Sequence, residues 1–398
     1  MIDVLIDMTA LNTTSRERGI GRYVQSLCGS LSRRAEWQDR YPDLPGRDLT
    51  LSGLIRHRGR VEGALDPTLG FTGDPSVSLS DLRYQRHKLE RRLFLGSLLN
   101  RAPCRLAHLP DPPGTPLSRR RRRIVTCHDL IPLVLHEEYL SALPGSRALQ
   151  RARDQARYGT AARVIAISHA TRRDLIEQLQ LPPERIDVVH HGVDHHRFNV
   201  GASPDESALL ASQLGIARPF LLYLGAGDAR KNLPLLVRAF ARSNVFRDVS
   251  LVMAGPLSQR QRAQLEREAE LCGVRRELTL LGYVPDELVT PLYRQCLAHV
   301  FPSSYEGFGL TVLEAMACGA PTLTTALSSL GEVAGDAALT LEALEEEPFA
   351  RELERLVSDS ALRAELRSRG LAHAQRFTWE RCAAETLASY ARALEESS

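Results

Sequence analysis

The second half of this sequence alternates short apolar runs with helical stretches, and this alternation restricts the fold more than any other feature. Five runs have the length and composition of buried strands: FLLYLGAG, VSLVMAGP, LTLLGYV, LAHVFPSS and PTLTTA. Four stretches with apolar residues at helical spacing separate them: LPLLVRAFARS, SQRQRAQLEREAELCG, PDELVTPLYRQC and LTVLEAMACG. Apolar runs divided by helices are typical of a parallel sheet covered on both faces. We therefore predict a doubly wound α/β domain here.

The first half shows the same alternation less regularly. Its strand-like runs are IDVLIDM, RLAHLP, RRIVTCHDL and RVIAISHA. Residues 41–82 are rich in Gly, Pro, Asp and Ser and are predicted as loop, and residues 81–99 as a basic helix. From Glu345 onward the chain is predicted to be helical to its end. With a boundary near residues 195–215, we expect two doubly wound domains whose ligands bind outside the carboxyl ends of the strands.

Composition excludes several classes of protein. With 43% hydrophobic and 25% charged residues, the 398-residue chain is ordinary for a globular protein. Its longest apolar runs fall far short of the roughly 18 residues that a membrane span needs, and no signal peptide is expected at the N-terminus. The seven cysteines form no CxxC pair, which favours reduced thiols in a cytosolic protein.

The charge is unevenly distributed along the chain. Residues 1–200 carry a formal charge of +9 and the remainder −6. Five consecutive arginines contribute most to the basic half: Arg119, Arg120, Arg121, Arg122 and Arg123. Such a run is usually a solvated loop, but it could also contact an anionic lipid surface or a phosphate-bearing substrate.

The strongest functional signal is SSYEGFGLTVLEAMACG, residues 303–319, in which a strand runs through a glycine-containing loop into a helix. Amides at such a helix start favour a phosphate, and Gly307 and Gly309 allow close approach of a ligand. Glu306 and Glu314 would repel a phosphate but accept hydrogen bonds from hydroxyls. The segment therefore suits a ligand that is part phosphate and part polyol.

A second loop, LGAGDARKNL, also lies between a strand and a helix. Arg230 and Lys231 in this loop would suit a diphosphate. Only Lys88 and Lys231 are lysines in the whole chain, so Lys231 stands out as a compact point charge. The alternative is that the basic pair belongs to a solvated turn.

Two loops of the first half complete the candidate set. His128 in TCHDLIP follows an apolar strand and could donate a hydrogen bond into a ligand site, although a lone histidine is more often structural. The loop RGIGRY carries Gly19 and Gly21 but has Val24 where a dinucleotide fingerprint needs its third glycine. NAD binding, and with it a dehydrogenase, is therefore poorly supported.

No metal site is expected from the sequence. The chain has no DxD triplet, Walker loop, GxSxG elbow or HExxH. His190, His191, His195 and His196 have no clear set of cysteine or carboxylate partners, so we interpret VVHHGVDHHRF as a turn between domains.

In combination these segments resemble the retaining glycosyltransferases of family 4. YEGFGLTVLEAMACGAPTL resembles the E-x7-E signature, and the resemblance extends over RGIGRY, HDLIP, AISHATRRDL, GVDHHRF, YLGAGDARKNL and RFTWERCAAETLASYARAL. It implies the GT-B architecture, in which two Rossmann-like doubly wound domains face each other across a cleft. Residues 1–200 would be an acceptor-binding domain and residues 201–378 a nucleotide-sugar-binding domain. Residues 379–398 would form a helix that returns to the first domain, where Trp379 packs.

The resemblance also implies roles for matching residues. Glu306 would bind hydroxyls of the donor sugar, Glu314 the ribose hydroxyls, and His128 the donor sugar across the cleft. Arg230 and Lys231 would hold the diphosphate and stabilise it as it leaves. The other implied donor-binding positions are Gly19 and Gly21 near the diphosphate, Gly307, Phe308, Gly309 and Leu310 near sugar and diphosphate, and Gly282, Tyr283 and Val284 near the nucleobase. Ala226 stands where many members carry an arginine, so Arg230 must supply the second positive charge.

The activity implied is the transfer of a hexose with retention, without metal or other cofactor and without nucleic acid as a partner. The donor would be a nucleotide-diphosphate sugar, with GDP-mannose or a related donor favoured. The acceptor would be a saccharide or lipid-linked saccharide in surface polysaccharide synthesis, in the cytoplasm or at the inner face of the membrane. A GT-B phosphorylase or epimerase, and a non-catalytic module that binds sugar nucleotides, are the alternatives.

Overall fold

The computed structural model describes residues 2–12, 19–57, 60–63, 102–112, 115, 122–140, 145–201 and 205–396. The chain divides into two compact units. The first consists of Met1–Gly192 and Trp379–Ser398, and the second of Val193–Thr378. The basic helix predicted for residues 81–99 lies outside the described residues.

The first unit is built on one twisted sheet. Its strands are β1 (Ile2–Asp7), β2 (Leu51–His57), β3 (Arg60–Gly63), β4 (Cys104–Leu109), β5 (Arg123–Cys127), β6 (Arg163–Ala166) and β7 (Ile186–Val188). They lie in the order β3-β2-β1-β4-β5-β6-β7. Every pair is parallel except β2 with β3. Strand order running outward in both directions from β1 is that of a doubly wound sheet.

The prediction that residues 41–82 form only loop is wrong for β2 and β3. β2 pairs in parallel with β1, from Val4 beside Leu51 to Asp7 beside Leu54, and β3 then pairs antiparallel with β2. Glycine and proline on the approach to Leu51 conceal the strand in the sequence. The ladder to β1 stabilises it, and that ladder is a long-range contact which composition does not reveal.

Helices cover this sheet, and one of them comes from the far end of the chain. The described helices of the first unit are α1 (Gly19–Ser32), α2 (Ile131–Val134), α3 (His136–Tyr139), α4 (Ser146–Tyr158), α5 (His169–Leu179) and, at the C-terminus, α14 (Trp379–Glu395). α14 packs on α1. Tyr23 and Leu27 of α1 share one buried apolar cluster with Leu387, Tyr390 and Leu394 of α14. The last helix of the chain is therefore part of the first unit's core.

The second unit repeats the topology with a fully parallel sheet. Its strands are β8 (Phe220–Leu224), β9 (Ser250–Ala254), β10 (Leu278–Gly282), β11 (Ala298–Phe301), β12 (Thr322–Thr325) and β13 (Leu339–Leu341). Their order is β10-β9-β8-β11-β12-β13. The five predicted strands are confirmed, and β13 is an additional strand of three residues, too short for a pattern to indicate. Both sheets confirm the doubly wound fold class.

The helices of the second unit flank this sheet. They are α6 (Glu206–Leu214), α7 (Leu233–Arg242), α8 (Gln259–Leu271), α9 (Asp286–Gln295), α10 (Leu310–Ala317), α11 (Ser329–Ala334), α12 (Glu346–Ser358) and α13 (Ser360–Ala374). The predicted helical tail is broken at Asp359, between α12 and α13, and at residues 375–378, between α13 and α14. Among the helices of the described ranges, none combines the length and hydropathy required to cross a bilayer.

The arginine run is not one uniform surface feature. Arg119, Arg120 and Arg121 lie outside the described residues. Arg123 begins β5, is 4% exposed, and donates a hydrogen bond to the Thr160 hydroxyl. Its inclusion in a solvated or lipid-binding patch is therefore wrong, because the strand turns its side chain into the protein.

Candidate functional site

Two loops of the second unit meet where the strand order of its sheet reverses. β8 and β11 are hydrogen-bonded neighbours, although β9 and β10 lie between them in the chain. The loop after β8 carries Arg230 and Lys231, and the loop after β11 carries Glu306. Both loops lie at the carboxyl edge of the sheet, at the position where doubly wound folds bind their ligands.

Glu306 accepts hydrogen bonds from two cations on the same oxygen. Arg230 Nη1 and Lys231 Nζ each lie 2.5 Å from Glu306 Oε1. The Ser303 hydroxyl donates to the same atom, also at 2.5 Å. The three charged side chains are only 8–12% exposed. The structure thus brings together three of the four residues predicted to be catalytic.

The backbone ties these two loops to each other. The Ser304 amide donates to the Arg230 carbonyl oxygen at 2.8 Å. The Asn232 side-chain amide donates to the carbonyl oxygens of Arg230, at 2.8 Å, and Pro302, at 3.2 Å. Asn232 has φ 51°, a left-handed conformation that asparagine tolerates better than most residues. Arg230 is therefore held at its carbonyl as well as at its guanidinium.

Lys231 is an ammonium group held away from water. Burial lowers the pKa of Lys231, the Glu306 carboxylate opposes this effect, and the Arg230 charge adds to it. An ion in a site of low dielectric interacts more strongly with an opposite charge than it does in water. Lys231 and Arg230 together form a partly desolvated pair of cations, which is suited to an anionic ligand.

The loop from Glu306 to Gly309 is shaped by two serines that the sequence analysis missed. The Ser328 hydroxyl accepts from the Glu306 amide at 2.9 Å. The Ser329 hydroxyl lies 2.8 Å from the carbonyl oxygens of both Glu306 and Phe308. Both serines follow β12 at the same edge of the sheet. Their place after a predicted strand was the one signal that could have identified them.

Glu314 is placed differently from Glu306. It lies in α10, is 7% exposed, and accepts a hydrogen bond from the Tyr293 hydroxyl at 3.4 Å. Burial, with the Glu314 charge adding to it, raises the pKa of Tyr293 well above its usual value. The tyrosine is therefore a neutral donor that helps to hold the carboxylate. The role of Glu314 towards a ribose stays a prediction.

The loops after β8, β9 and β10 contact one another through glycines. A Cβ at Gly255 would lie 2.1 Å from the Gly225 carbonyl oxygen, and the Gly255 amide donates to the Gly282 carbonyl oxygen at 2.7 Å. Among the residues predicted near the nucleobase, Tyr283 is 77% exposed and Val284 is buried. The Tyr283 side chain is accessible to solvent and its role towards a nucleobase stays a prediction, whereas the side chain of Val284 belongs to the core.

His128 of the first unit follows β5, as predicted. Its Nε2 lies 2.8 Å from the Pro110 carbonyl oxygen, which can only accept, so Nε2 carries the hydrogen. Burial lowers the pKa of His128, with the Pro110 hydrogen bond and the nearby aspartates opposing it. In the neutral ring the remaining nitrogen, Nδ1, can only accept a hydrogen bond. The Nε2 hydrogen of His128 is therefore engaged by Pro110, and the role of His128 towards a ligand stays a prediction.

The two glycines of RGIGRY open the first helix. Gly19 is the first residue of α1 and is exposed, and Gly21 is buried within the same helix. Among the described residues, no atom lies within 4 Å of a Cβ built at Gly19. Packing against this part of the chain therefore does not require glycine at position 19.

An aromatic cluster surrounds His128 and was not predicted. The Tyr23 ring stacks on His191 with centroids 4.7 Å apart, and it meets His128 edge-on at 5.1 Å. His191 also contacts Trp379 at 5.6 Å. Trp379 thus packs in the first unit, and His191 of the histidine-rich turn is a buried packing residue.

Two family models match the chain. Residues 18–197 match the model described as Glycosyltransferase Family 4, and residues 211–373 match the model described as Glycosyl transferases group 1. Together these matches cover most of both units.

The sequence is similar to mannosyltransferases of Escherichia coli. Serotype-specific mannosyltransferase WbdA is 29% identical over 279 residues, which are 69% of this chain and 34% of WbdA. O-antigen chain mannosyltransferase B is 30% identical over 233 residues, 57% of this chain and 60% of that protein. The match therefore spans about a third of WbdA and less than two thirds of the second relative.

The fold is similar to that of a solved protein structure that contains UDP and glucose. The crystal structure of HepE from Anabaena, in complex with UDP and glucose, superposes with a TM-score of 0.66 at 16% identity. The superposition covers 96% of this chain and 97% of that one. At this identity the similarity concerns the architecture alone.

Proposed function

We propose, given that this chain belongs to the family 4 glycosyltransferases, that it transfers a hexose from a nucleotide-diphosphate sugar with retention at the anomeric carbon. One observation carries the proposal. Arg230 and Lys231 converge on a single oxygen at the point where the strand order reverses. Two buried cations that donate hydrogen bonds towards one point are suited to bind the diphosphate of such a donor.

The chemistry requires the diphosphate to leave an oxocarbenium-like centre. Negative charge then develops on the oxygens of the leaving group, and preorganised cations stabilise that charge without reorganisation. Arg230 and Lys231 are held by the backbone ties of their loop, so they supply this preorganisation. His128, as a neutral acceptor at Nδ1, would bind a sugar hydroxyl.

Retention is better explained by attack of the acceptor on the same face than by a covalent intermediate on Glu306. Glu306 Oε1 already accepts three hydrogen bonds, which lower its nucleophilicity. Esterification of this carboxylate would also leave two buried cations without their anion, at a considerable cost in free energy. We therefore assign proton removal from the acceptor to the departing phosphate.

The names of the relatives support a mannose donor, and we propose GDP-mannose or a related donor and a metal-independent reaction. A thermal-shift panel with GDP, UDP, dTDP and ADP, each with and without chelator, tests both points. A nucleotide at about 100 times its dissociation constant adds roughly 2.7 kcal/mol to stability. Stabilisation by GDP alone, equal with and without chelator, is expected. Stabilisation by another base, or its loss with chelator, would contradict the donor or the metal independence.

For the acceptor we propose a saccharide or lipid-linked saccharide of surface polysaccharide synthesis, reached in the cytoplasm or at the inner membrane face. The basic first half and the relatives' names support this proposal. Sedimentation with anionic vesicles, comparing wild type with a variant in which Arg119, Arg120 and Arg121 are replaced by Gln, tests the membrane part. Equal sedimentation of the two proteins would show that these three arginines do not contribute to membrane binding.

The decisive test of the transferase proposal is Lys231→Met, which retains the stem and removes the charge. Loss of one group that stabilises a leaving anion typically costs about 100- to 1000-fold in turnover. Arg242→Met is the matched control, since Arg242 is an exposed cation of the same unit. Sugar transfer is measured by product analysis with a saccharide acceptor. Turnover of Lys231→Met within a few-fold of the control would refute the assignment.

A further inference from the structure

A pair of buried rings lies under the loop that carries Arg230 and Lys231. Tyr223 is near the end of β8, and Phe301 is the last residue of the neighbouring strand β11. Their rings stack with centroids 5.8 Å apart and planes 11° from parallel, and each residue is 1% exposed. The two stacked rings are buried between β8 and β11, where the strand order reverses.

Phe301 supports Lys231 through the face of its ring. Lys231 Nζ lies 4.4 Å from the centroid of the Phe301 ring. The negative face of an aromatic ring attracts an ammonium ion, and the attraction is larger when water is excluded. Since Lys231 is almost completely buried, this contact favours both the position and the charged form of its ammonium group.

Tyr223 connects the ring pair to the loop above it. The Tyr223 hydroxyl donates a hydrogen bond to the Ala226 carbonyl oxygen at 2.7 Å. A Cβ at residue 225 would lie 2.7 Å from the same hydroxyl oxygen, so Gly225 is required for the loop to close over the tyrosine. The hydroxyl therefore fixes the first turn of the loop that leads to Arg230 and Lys231.

We propose that Phe301 is a positioning residue. The face of its ring holds the charged Lys231 ammonium group beside Glu306 Oε1, to which Arg230 also donates. In the same proposal Tyr223 stabilises the Phe301 ring by stacking and the loop by its hydroxyl. Both rings act through Lys231 and the loop. The inference rests on the proposed function in one respect, namely that Lys231 binds an anion.

Several ionisable groups face Lys231 and need to be separated from the effect of the ring. Glu306 and Asp228 favour the charged ammonium, and Arg230 disfavours it. Burial, with a smaller effect of Lys231, lowers the pKa of His299 to about 3. Burial also raises the pKa of Tyr223 well above its usual value. Both groups are therefore neutral near pH 7, and replacement of Phe301 leaves all these charges in place.

The titration of Lys231 can be followed directly because the chain contains only two lysines, Lys88 and Lys231. Protein labelled with [13Cε]lysine gives two side-chain signals, and Lys88→Arg assigns them. Phe301→Leu and Phe301→Met fill most of the ring volume without an aromatic face. We expect each to lower the Lys231 midpoint by roughly one pH unit, a tenfold loss of proton affinity. Phe240→Leu, which removes a buried ring of α7, is the control and should leave the midpoint unchanged.

Binding of inorganic pyrophosphate, measured by calorimetry between pH 6 and 10, gives the second readout. In both Phe301 variants the loss of binding at high pH should begin at lower pH than in wild type. Tyr223→Phe keeps the ring and removes the hydroxyl, so it should weaken binding about fivefold without moving the Lys231 midpoint.

The outcomes distinguish the inference from the proposed function. An unchanged Lys231 midpoint in both Phe301 variants would overturn the inference and leave the proposed function standing. A lowered midpoint, with no pyrophosphate binding by wild type at any pH, would overturn the proposed function and with it the role of the rings in anion binding. A lowered midpoint with the matching shift in pyrophosphate binding supports both.

Discussion

Glu306 occupies the position at which Arg230 and Lys231 converge, so its carboxylate and an incoming anion compete for the same donors. The family resemblance implies two separate functions, in which Glu306 binds sugar hydroxyls and the two cations bind the diphosphate. The structure joins them, since all three meet at Oε1. We therefore expect a bound diphosphate and the Glu306 carboxylate to compete for the two cations.

The variant Glu306→Gln tests this competition. The uncharged amide offsets the charge of neither cation, so pyrophosphate should bind the variant about tenfold more tightly than wild type, while sugar transfer falls. Calorimetric titration measures the affinity. Glu347→Gln, the control, removes an exposed carboxylate paired with Arg242. It should leave the affinity for pyrophosphate unchanged. Equal or weaker binding by Glu306→Gln would show that carboxylate and diphosphate do not compete.

Gly309 is required by the backbone at the start of α10. Its φ is 116°, and a Cβ there would lie 2.9 Å from Leu330 Cδ2. Gly309→Ala should therefore destabilise the protein by about 1–3 kcal/mol, as measured by urea unfolding. A midpoint equal to that of wild type would mean that the loop relaxes without cost.

Gly19 offers the opposite case. A Cβ there meets no atom of the described residues within 4 Å, so Gly19→Ala should not lower the unfolding midpoint. If the diphosphate approaches Gly19, as the family resemblance implies, the same variant should raise the KM for the donor. Unchanged kinetics would remove Gly19 from the donor-binding residues.

At the scale of elements, α14 is joined to β6 and β7 by an ion network. Asp187 of β7 accepts from Arg163 Nε and Nη2 at 2.7 and 2.8 Å and from the Ser389 hydroxyl at 2.6 Å. Arg392 lies 3.0 Å away. Burial by itself would raise the pKa of Asp187, but these hydrogen bonds and the Arg392 charge outweigh it and hold the pKa below its usual value.

Asp187→Asn should destabilise the protein by about 3 kcal/mol, because Arg163 loses its buried counter-ion. The lowered pKa sets the direction with pH. The stabilisation by this carboxylate is complete above about pH 4, the unfolded value, and is lost as pH falls through the folded pKa. Urea unfolding at a series of pH values should therefore show that the free energy of unfolding falls less steeply with decreasing pH in the variant than in wild type.

Asp336→Asn is the control for this prediction. Its side chain is 90% exposed and pairs with Arg369 at 3.5 Å, so it should change stability by well under 1 kcal/mol. A similar loss in both variants would show that the network at Asp187 contributes no more than a surface ion pair.

Periodicity predicted the elements of the second unit better than those of the first. β8 to β12 are apolar runs bounded by turn residues, so each is visible locally. β2 lies among glycines and prolines, and β13 has only three residues. Both depend on a neighbouring strand for their hydrogen bonds, and a local pattern does not contain that partner.

At the scale of the whole molecule, the two units differ in how the chain builds them. The second unit is one continuous segment, Val193–Thr378, whereas the first combines Met1–Gly192 with the C-terminal helix. Tyr390 of α14 is fully buried, and its hydroxyl hydrogen-bonds His108 Nδ1 of β4 at 2.7 Å. The first unit is therefore incomplete until the whole chain has been made.

Fragments of the chain should behave accordingly. Residues 193–378 should fold alone, unfold cooperatively in urea and bind pyrophosphate, because Arg230, Lys231 and Glu306 all lie within them. The same fragment with Lys231→Met is the binding control. Residues 1–192 should lack a cooperative transition, since the α14 part of their core is missing. A cooperative transition of residues 1–192 would show that α14 is dispensable for this core.

The sequence by itself determined the fold class, most strands and the loops that carry chemistry. These follow from local periodicity and from the rule that ligands meet parallel sheets at their carboxyl edge. The tertiary structure alone decided that Glu306 pairs with both cations, that Ser328 and Ser329 shape its loop, that His128 Nε2 bonds the Pro110 carbonyl oxygen, and that Arg123 is buried. Each depends on the distance and orientation between groups remote in the chain, which only packing sets.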